Sequence, residues 1–202
     1  MPNGLRAGQS LSLDGTGSLA SGVSFLSSIA NITNTTDFAA SGATLNINGG
    51  AVGIGLEVAN STVNVNEGVV QVGVTAISQS EVNLGSGSNE ALVEAFSNST
   101  VNVTGGNFSL IAAESGSAVN ISGGNASSVS LGSGSTATIS GGSSNALDAQ
   151  AGSTVSISGG TFRNVSGGFT VDPGSQVELI GGEFLLNGTT TTGQVTLGHR
   201  LE

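Results

Sequence analysis

With 13 acids, 3 arginines, one histidine and no lysine or cysteine in 202 residues, carboxylates are the only side chains numerous enough to do acid/base chemistry. Two pairs of them recur at a useful spacing. Glu94 and Glu114 stand one repeat and two residues apart, and Asp148 and Asp172 have the same relation. Strand geometry makes that offset about 8 Å, inside the ~5 to 9.5 Å window of paired glycosidase carboxyls. No tryptophan or tyrosine accompanies either pair to stack a sugar ring, and Asp172-Pro173-Gly174 reads as a turn. Most of the acids are therefore expected to confer solubility. The calcium nonapeptide pattern G-G-x-G-x-D is missing, so no metal or cofactor is expected.

Other chemistries are removed by what is lacking. Without lysine there is no P-loop, and without cysteine no zinc ribbon, iron–sulfur site or thiol nucleophile. A net charge of −10 argues against nucleic acid or an anionic membrane as partner. No apolar run reaches the ~18 to 20 residues of a spanning helix, so membrane insertion is not expected. His199, in the tail, is read as a capping or solvated residue.

The elements that must position these groups follow from a repeat of the form x-V-x-I-x-G-G. Its apolar pair falls at Leu45/Ile47, Val63/Val65, Val82/Leu84, Val101/Val103, Val119/Ile121, Ala137/Ile139, Val155/Ile157 and Val177/Leu179, in steps of 18, 19, 19, 18, 18, 18 and 22 residues. Alternation of apolar and polar residues, rich in β-branched types, is the period of a strand with one buried face. Glycine pairs such as Gly141-Gly142 follow, where a backbone with φ > 0 can turn.

Two residues past that corner comes another apolar site, occupied by Val52, Val70, Phe108, Ala126, Phe162 and Phe184, with Asn89 and Ser144 as polar exceptions. A second short strand follows, with pairs such as Val93/Ala95, Ile111/Ala113 and Leu147/Ala149. Three inward sides per repeat describe a triangular coil. Strands returning every ~18 residues leave no room for helical crossovers, so successive coils stack in parallel, ~4.8 Å apart. The expected fold is all-β: a parallel β-helix of about 8 to 10 coils with 18 to 19 residues each. Residues 41–187 are expected to form the repeats, residues 1–40 a cap or irregular first coils, and residues 188–202 a closing segment or tail. Met1 and Leu201-Glu202 read as the ends of a piece of something longer.

The outward side of the first strand is uncharged over most of its length. Asn46, Asn64, Asn83, Asn102 and Asn120 form one file, flanked by Thr62, Thr100, Thr136, Thr138 and Thr154. Two readings apply. The amides can hydrogen-bond along the stack as a stabilising ladder, or the face can bind a glycan, a cell-surface partner or ice. Glu81, Ala118 and Gln176 interrupt the threonine file, which weakens the ice reading. The many Asn-x-Ser/Thr sequons follow from composition.

Stretches such as Ala95-Phe96-Ser97-Asn98-Ser99-Thr100-Val101-Asn102-Val103-Thr104-Gly105-Gly106 and Gly152-Ser153-Thr154-Val155-Ser156-Ile157-Ser158-Gly159-Gly160 resemble repeats of bacterial secreted and surface proteins. More loosely they are similar to autotransporter passenger repeats and to the right-handed, pectin-lyase-like β-helices. The resemblance spans roughly residues 41–187 and implies right-handed coiling. It also implies a question about lyase chemistry, since polysaccharide lyases of that fold use clustered carboxylates for calcium and a basic residue as proton acceptor. Arg163 is the only arginine within the repeats; Arg6 and Arg200 are elsewhere. The resulting expectation is a non-enzymatic, secreted or surface-exposed bacterial module for spacing, adhesion or display, with a polysaccharide or cell-surface glycan as its partner. A lyase or hydrolase is the alternative, and an ice-binding protein the second.

Overall fold

The computed structural model describes residues 10–18, 37–41, 44–52, 55–70, 73–86, 89–114, 116–162, 169–180, 183–186, 189–192 and 195–198. Every described element is a strand. The Thr-Val-Asn-Val motifs form a ten-stranded sheet that starts at Ser10–Ser18 and Thr44–Val52. It continues through Thr62–Val70, Glu81–Leu84, Thr100–Val103, Ala118–Ile121, Thr136–Ile139, Thr154–Ile157 and Gln176–Leu179 to Val195–Gly198. All neighbours are parallel except the last pair, where Val195–Gly198 runs antiparallel to Gln176–Leu179. The chain is a parallel β-solenoid.

The second sheet takes the other strand of each coil, in the order Asp37–Ser41, Gly55–Ala59, Gly73–Ile77, Asn89–Ala95, Asn107–Ala113 and Asn125–Leu131. Beyond it the strand splits, first into Ser143–Ser144 and Leu147–Ala149, then into Thr161–Phe162 and Phe169–Val171. The two inward sites that the sequence separates thus lie on one bent strand in the middle coils. Phe108 pairs with Ala126 and Leu110 with Ser128, while Ser109 is left out of the ladder, which marks the bend. In the later coil the gap is tied by the Ser144 hydroxyl, which donates to the carbonyl of Ala146 at 2.8 Å.

One alignment read from sequence is corrected. Glu90, not Asn89, pairs with Phe108, and Asn89 pairs with Asn107. The glycine pair is absent in that coil, where Gly85-Ser86-Gly87-Ser88 follows the motif, so counting from the corner lands one residue short. Between Thr44–Val52 and Thr62–Val70 the register also shifts after Ile47, so that Asn48 pairs with Glu67.

The interior is made of straight files. Val63, Val82, Val101, Val119, Ala137, Val155 and Val177 stack in one, and all are at most 3% exposed. Opposite them Leu56, Val74, Val93, Ile111, Val129 and Leu147 stack on the second sheet. The described core runs from Leu56 to Leu179 and amounts to about six turns. Further rungs of the first sheet, Ser10–Ser18 and Thr44–Val52, precede it, but about six turns are fewer than the eight to ten coils expected from the repeat. A coil cannot hold itself together, since its few aliphatic side chains do not offset the ordering of 18 residues. Each rung is stable only against its neighbours.

The two corners of a coil are built differently. Where the second strand returns to the first sheet, one column adopts positive φ: Asn60 (47°), Gln79 (62°), Asn98 (61°), then Gly116 (78°), Gly134 (73°), Gly152 (82°) and Gly174 (82°). At the Gly-Gly corner only the second glycine does so, as at Gly142 (81°). The first is there for closeness: a methyl group on Gly141 would fall on the carbonyl oxygen of Ser122 in the coil below.

Candidate functional site

The outer face of the first sheet, uncharged over most of its length apart from residues such as Glu81 and Glu178, is organised by its amides. Asn64 Nδ2 donates to Asn46 Oδ1 at 2.6 Å, Asn83 to Asn64 at 2.8 Å, Asn102 to Asn83 at 2.7 Å and Asn120 to Asn102 at 2.8 Å. Every bond runs in the same sense, so the amide dipoles add along the axis. The strands hold the asparagines at matched positions because Thr62–Val70, Glu81–Leu84, Thr100–Val103 and Ala118–Ile121 are in exact parallel register over the motif. Asn102 also reaches the Glu81 carboxylate, at 3.3 Å. A shorter ladder lies on the second sheet, where Asn125 donates to Asn107 at 3.0 Å and the Ser143 hydroxyl donates to Asn125 Oδ1 at 2.6 Å.

Beyond Asn120 the file changes to Thr138, Ser156 and Glu178. Thr136, Thr138 and Thr154 are exposed and Ser156 half-buried, and their side chains make no hydrogen bond among the described residues. Thr62 and Thr100, lower on the same face, are half-buried. At the edge of the face Thr104 Oγ1 donates to the Leu84 carbonyl at 3.1 Å and Ser122 Oγ to that of Val103 at 3.3 Å. The face therefore divides into a lower part whose amides are bonded to one another and an upper part where Thr136, Thr138, Thr154 and Ser156 are open, while Ser140 and Ser158 at its edge donate to the Ile121 and Ile139 carbonyls at 3.4 and 3.5 Å.

A polar column that the sequence reading passes over stands just inside. Ser61, Ser80, Ser99, Ser117, Ser135, Ser153 and Ser175 each precede a first-sheet strand, and all are buried, at 0 to 6% exposure. In the early coils the amide of one serine donates to the hydroxyl of the next: Ser61 to Ser80 at 3.3 Å, Ser80 to Ser99 and Ser99 to Ser117 at 3.2 Å. In early and later coils alike the hydroxyl turns back to its own corner, Ser80 to the Ile77 carbonyl at 2.6 Å, Ser135 to that of Gly132 at 2.6 Å and Ser153 to that of Gln150 at 2.7 Å. Seven serines at one position of the repeat were signal enough, but a serine in a polar corner looks solvated until the corner is seen to fold over it.

The carboxylates are dispersed. Glu94 lies in the second sheet between Thr75 and Ala112, and Asp148 between Ser130 and Thr170. Glu114 begins a corner, its amide on the Ala95 carbonyl at 2.8 Å, and its carboxylate lies against Gly132 of the next coil. Asp172 begins another, its carbonyl accepting from the amide of Ser175 at 3.1 Å and from its hydroxyl at 2.5 Å. Each pair keeps the offset of one rung and two residues, but one member is on a sheet and the other in a corner. Among the described residues no group of three or more His, Cys, Asp or Glu could hold a metal ion. Arg163, Arg6, His199 and Arg200 lie outside the described residues. No family model, no curated protein and no solved structure matches this chain.

Proposed function

We propose that this solenoid is a non-enzymatic, extracellular module that holds other parts apart or displays them at a surface, with the polar outer face of its first sheet available for adhesion. The amide ladder carries the reading. Four successive Asn-to-Asn bonds of 2.6 to 2.8 Å direct the most distinctive polar groups of the chain along the axis, where they resist shear between coils. The buried serine column does the same from inside. The dispersal of Glu94, Glu114, Asp148 and Asp172 between sheet and corner supports the same reading over acid/base catalysis.

Two experiments test it. The chain tethered at both ends and pulled is expected to resist and then yield in steps of about one coil; free extension at low force would sink the proposal. Incubation with a panel of neutral and acidic polysaccharides is expected to release no new reducing ends and no unsaturated sugars. Product formation would replace the spacer by the lyase or hydrolase alternative.

A further inference from the structure

We infer that the open hydroxyl block Thr136, Thr138, Thr154 and Ser156 is a docking surface for the packed surface of an insoluble neutral polysaccharide. This deepens the adhesive side of the function proposed above and rests on it. The block is a small lattice: Thr136 pairs with Thr154 and Thr138 with Ser156, so its hydroxyl-bearing residues repeat at ~4.8 Å along the axis and about 6.6 Å along each strand. Its floor is rigid, because Ala137, Ile139, Val155 and Ile157 beneath are at most 3% exposed. The hydroxyls have no partner among the described residues, and each can both donate and accept.

Charge and shape choose the occupant. Across the rungs Ala118–Ile121, Thr136–Ile139 and Thr154–Ile157 there is no ionisable side chain; the block is bordered on the next rung by Glu178, which pairs with Ser156, and the chain as a whole carries −10. A polyanion is repelled by the rest of the molecule, and a cation finds no ligand on the block. A soluble oligosaccharide would have to give up its torsional freedom on a sheet face whose described rungs Ala118–Ile121, Thr136–Ile139 and Thr154–Ile157 offer no aromatic ring to hold it. A packed polysaccharide has already lost that freedom. It is flat, uncharged and studded with hydroxyls at regular spacing, so weak contacts add up over its area, and the threonine methyls meet the C–H faces of its sugar rings.

The test is co-sedimentation of the chain with microcrystalline cellulose and with crystalline chitin. The expected result is saturable retention on at least one of them. Retention should fall at least fivefold in the isosteric double variant Thr138→Val/Thr154→Val and resist competition by soluble cellohexaose. Valine suits an exposed strand position, and an unchanged denaturation midpoint verifies that the variant is folded. Absence of retention on both solids, or equal retention of the variant, overturns the inference while leaving the pulling experiment to judge the spacer reading by itself. Shaping of ice crystals that is lost in the double variant would assign the lattice to ice and overturn it as well.

Discussion

Gly142 and Gly134 sit in the same coil at φ of 81° and 73°, and replacing each by alanine separates two costs that glycine conceals. Both substitutions force a side chain into the left-handed region, which costs about 1 to 2 kcal/mol. They differ in what the new methyl meets. At Gly134 the nearest heavy atom is the Gly116 nitrogen at 4.0 Å, an ordinary contact. At Gly142 the methyl would lie 2.8 Å from the Gly124 carbonyl oxygen and 2.9 Å from that of Gly123, at least ~0.5 Å inside normal nonbonded separation. These neighbours are backbone of the coil below and cannot rotate aside, so the rungs must part at that corner. Overpacking of this kind adds about 1 to 3 kcal/mol. Urea denaturation followed by circular dichroism reads the difference. With a slope near ~2 kcal/mol/M, an additional 2 kcal/mol lowers the midpoint of Gly142→Ala by about 1 M relative to Gly134→Ala. Equal midpoints would show that coil stacking at the Gly-Gly corner is looser than the geometry requires, and the account of the first glycine at Gly141 would fall with it.

Other outcomes follow from the same contacts. Asn83→Ala removes two ladder bonds and Asn120→Ala one; at about 0.5 to 1.5 kcal/mol per bond, the middle substitution is expected to cost about twice the terminal one in thermal or urea denaturation. Ser135→Ala removes the 2.6 Å hydroxyl donor from the buried Gly132 carbonyl, which keeps the Ser135 amide at 3.2 Å, and should destabilise by about 0.5 to 1.5 kcal/mol, whereas Ser133→Ala, on an exposed residue two positions away, should change stability by less than about 0.5 kcal/mol. Gly132→Ala is expected to be nearly as mild. The three atoms nearest to the added methyl all belong to the movable carboxylate of Glu114, and the double variant Gly132→Ala/Glu114→Ala should show no further loss if that displacement is the whole effect.

What the amino-acid order determined by itself is the coil. An aliphatic pair returning every 18 or 19 residues leaves parallel stacking as the arrangement that buries the same face each time, and Val101, Val119 and Val155 are where that rule puts them. The asparagine file was legible for the same reason, since equal spacing along the chain becomes adjacency along the axis. The tertiary structure decided the rest. The burial of Ser99, Ser117 and Ser135 depends on how a corner closes over its own hydroxyl, and the need for Gly141 on how near one coil lies to the last. The register of Glu90 depends on a corner built without a glycine pair. The division of the outer face into bonded amides and open hydroxyls depends on which side chains can span one rung. An asparagine amide carries donor and acceptor far enough from the backbone to reach its neighbour. The shorter hydroxyls of Thr136, Thr138 and Thr154 do not, and period alone is blind to that reach.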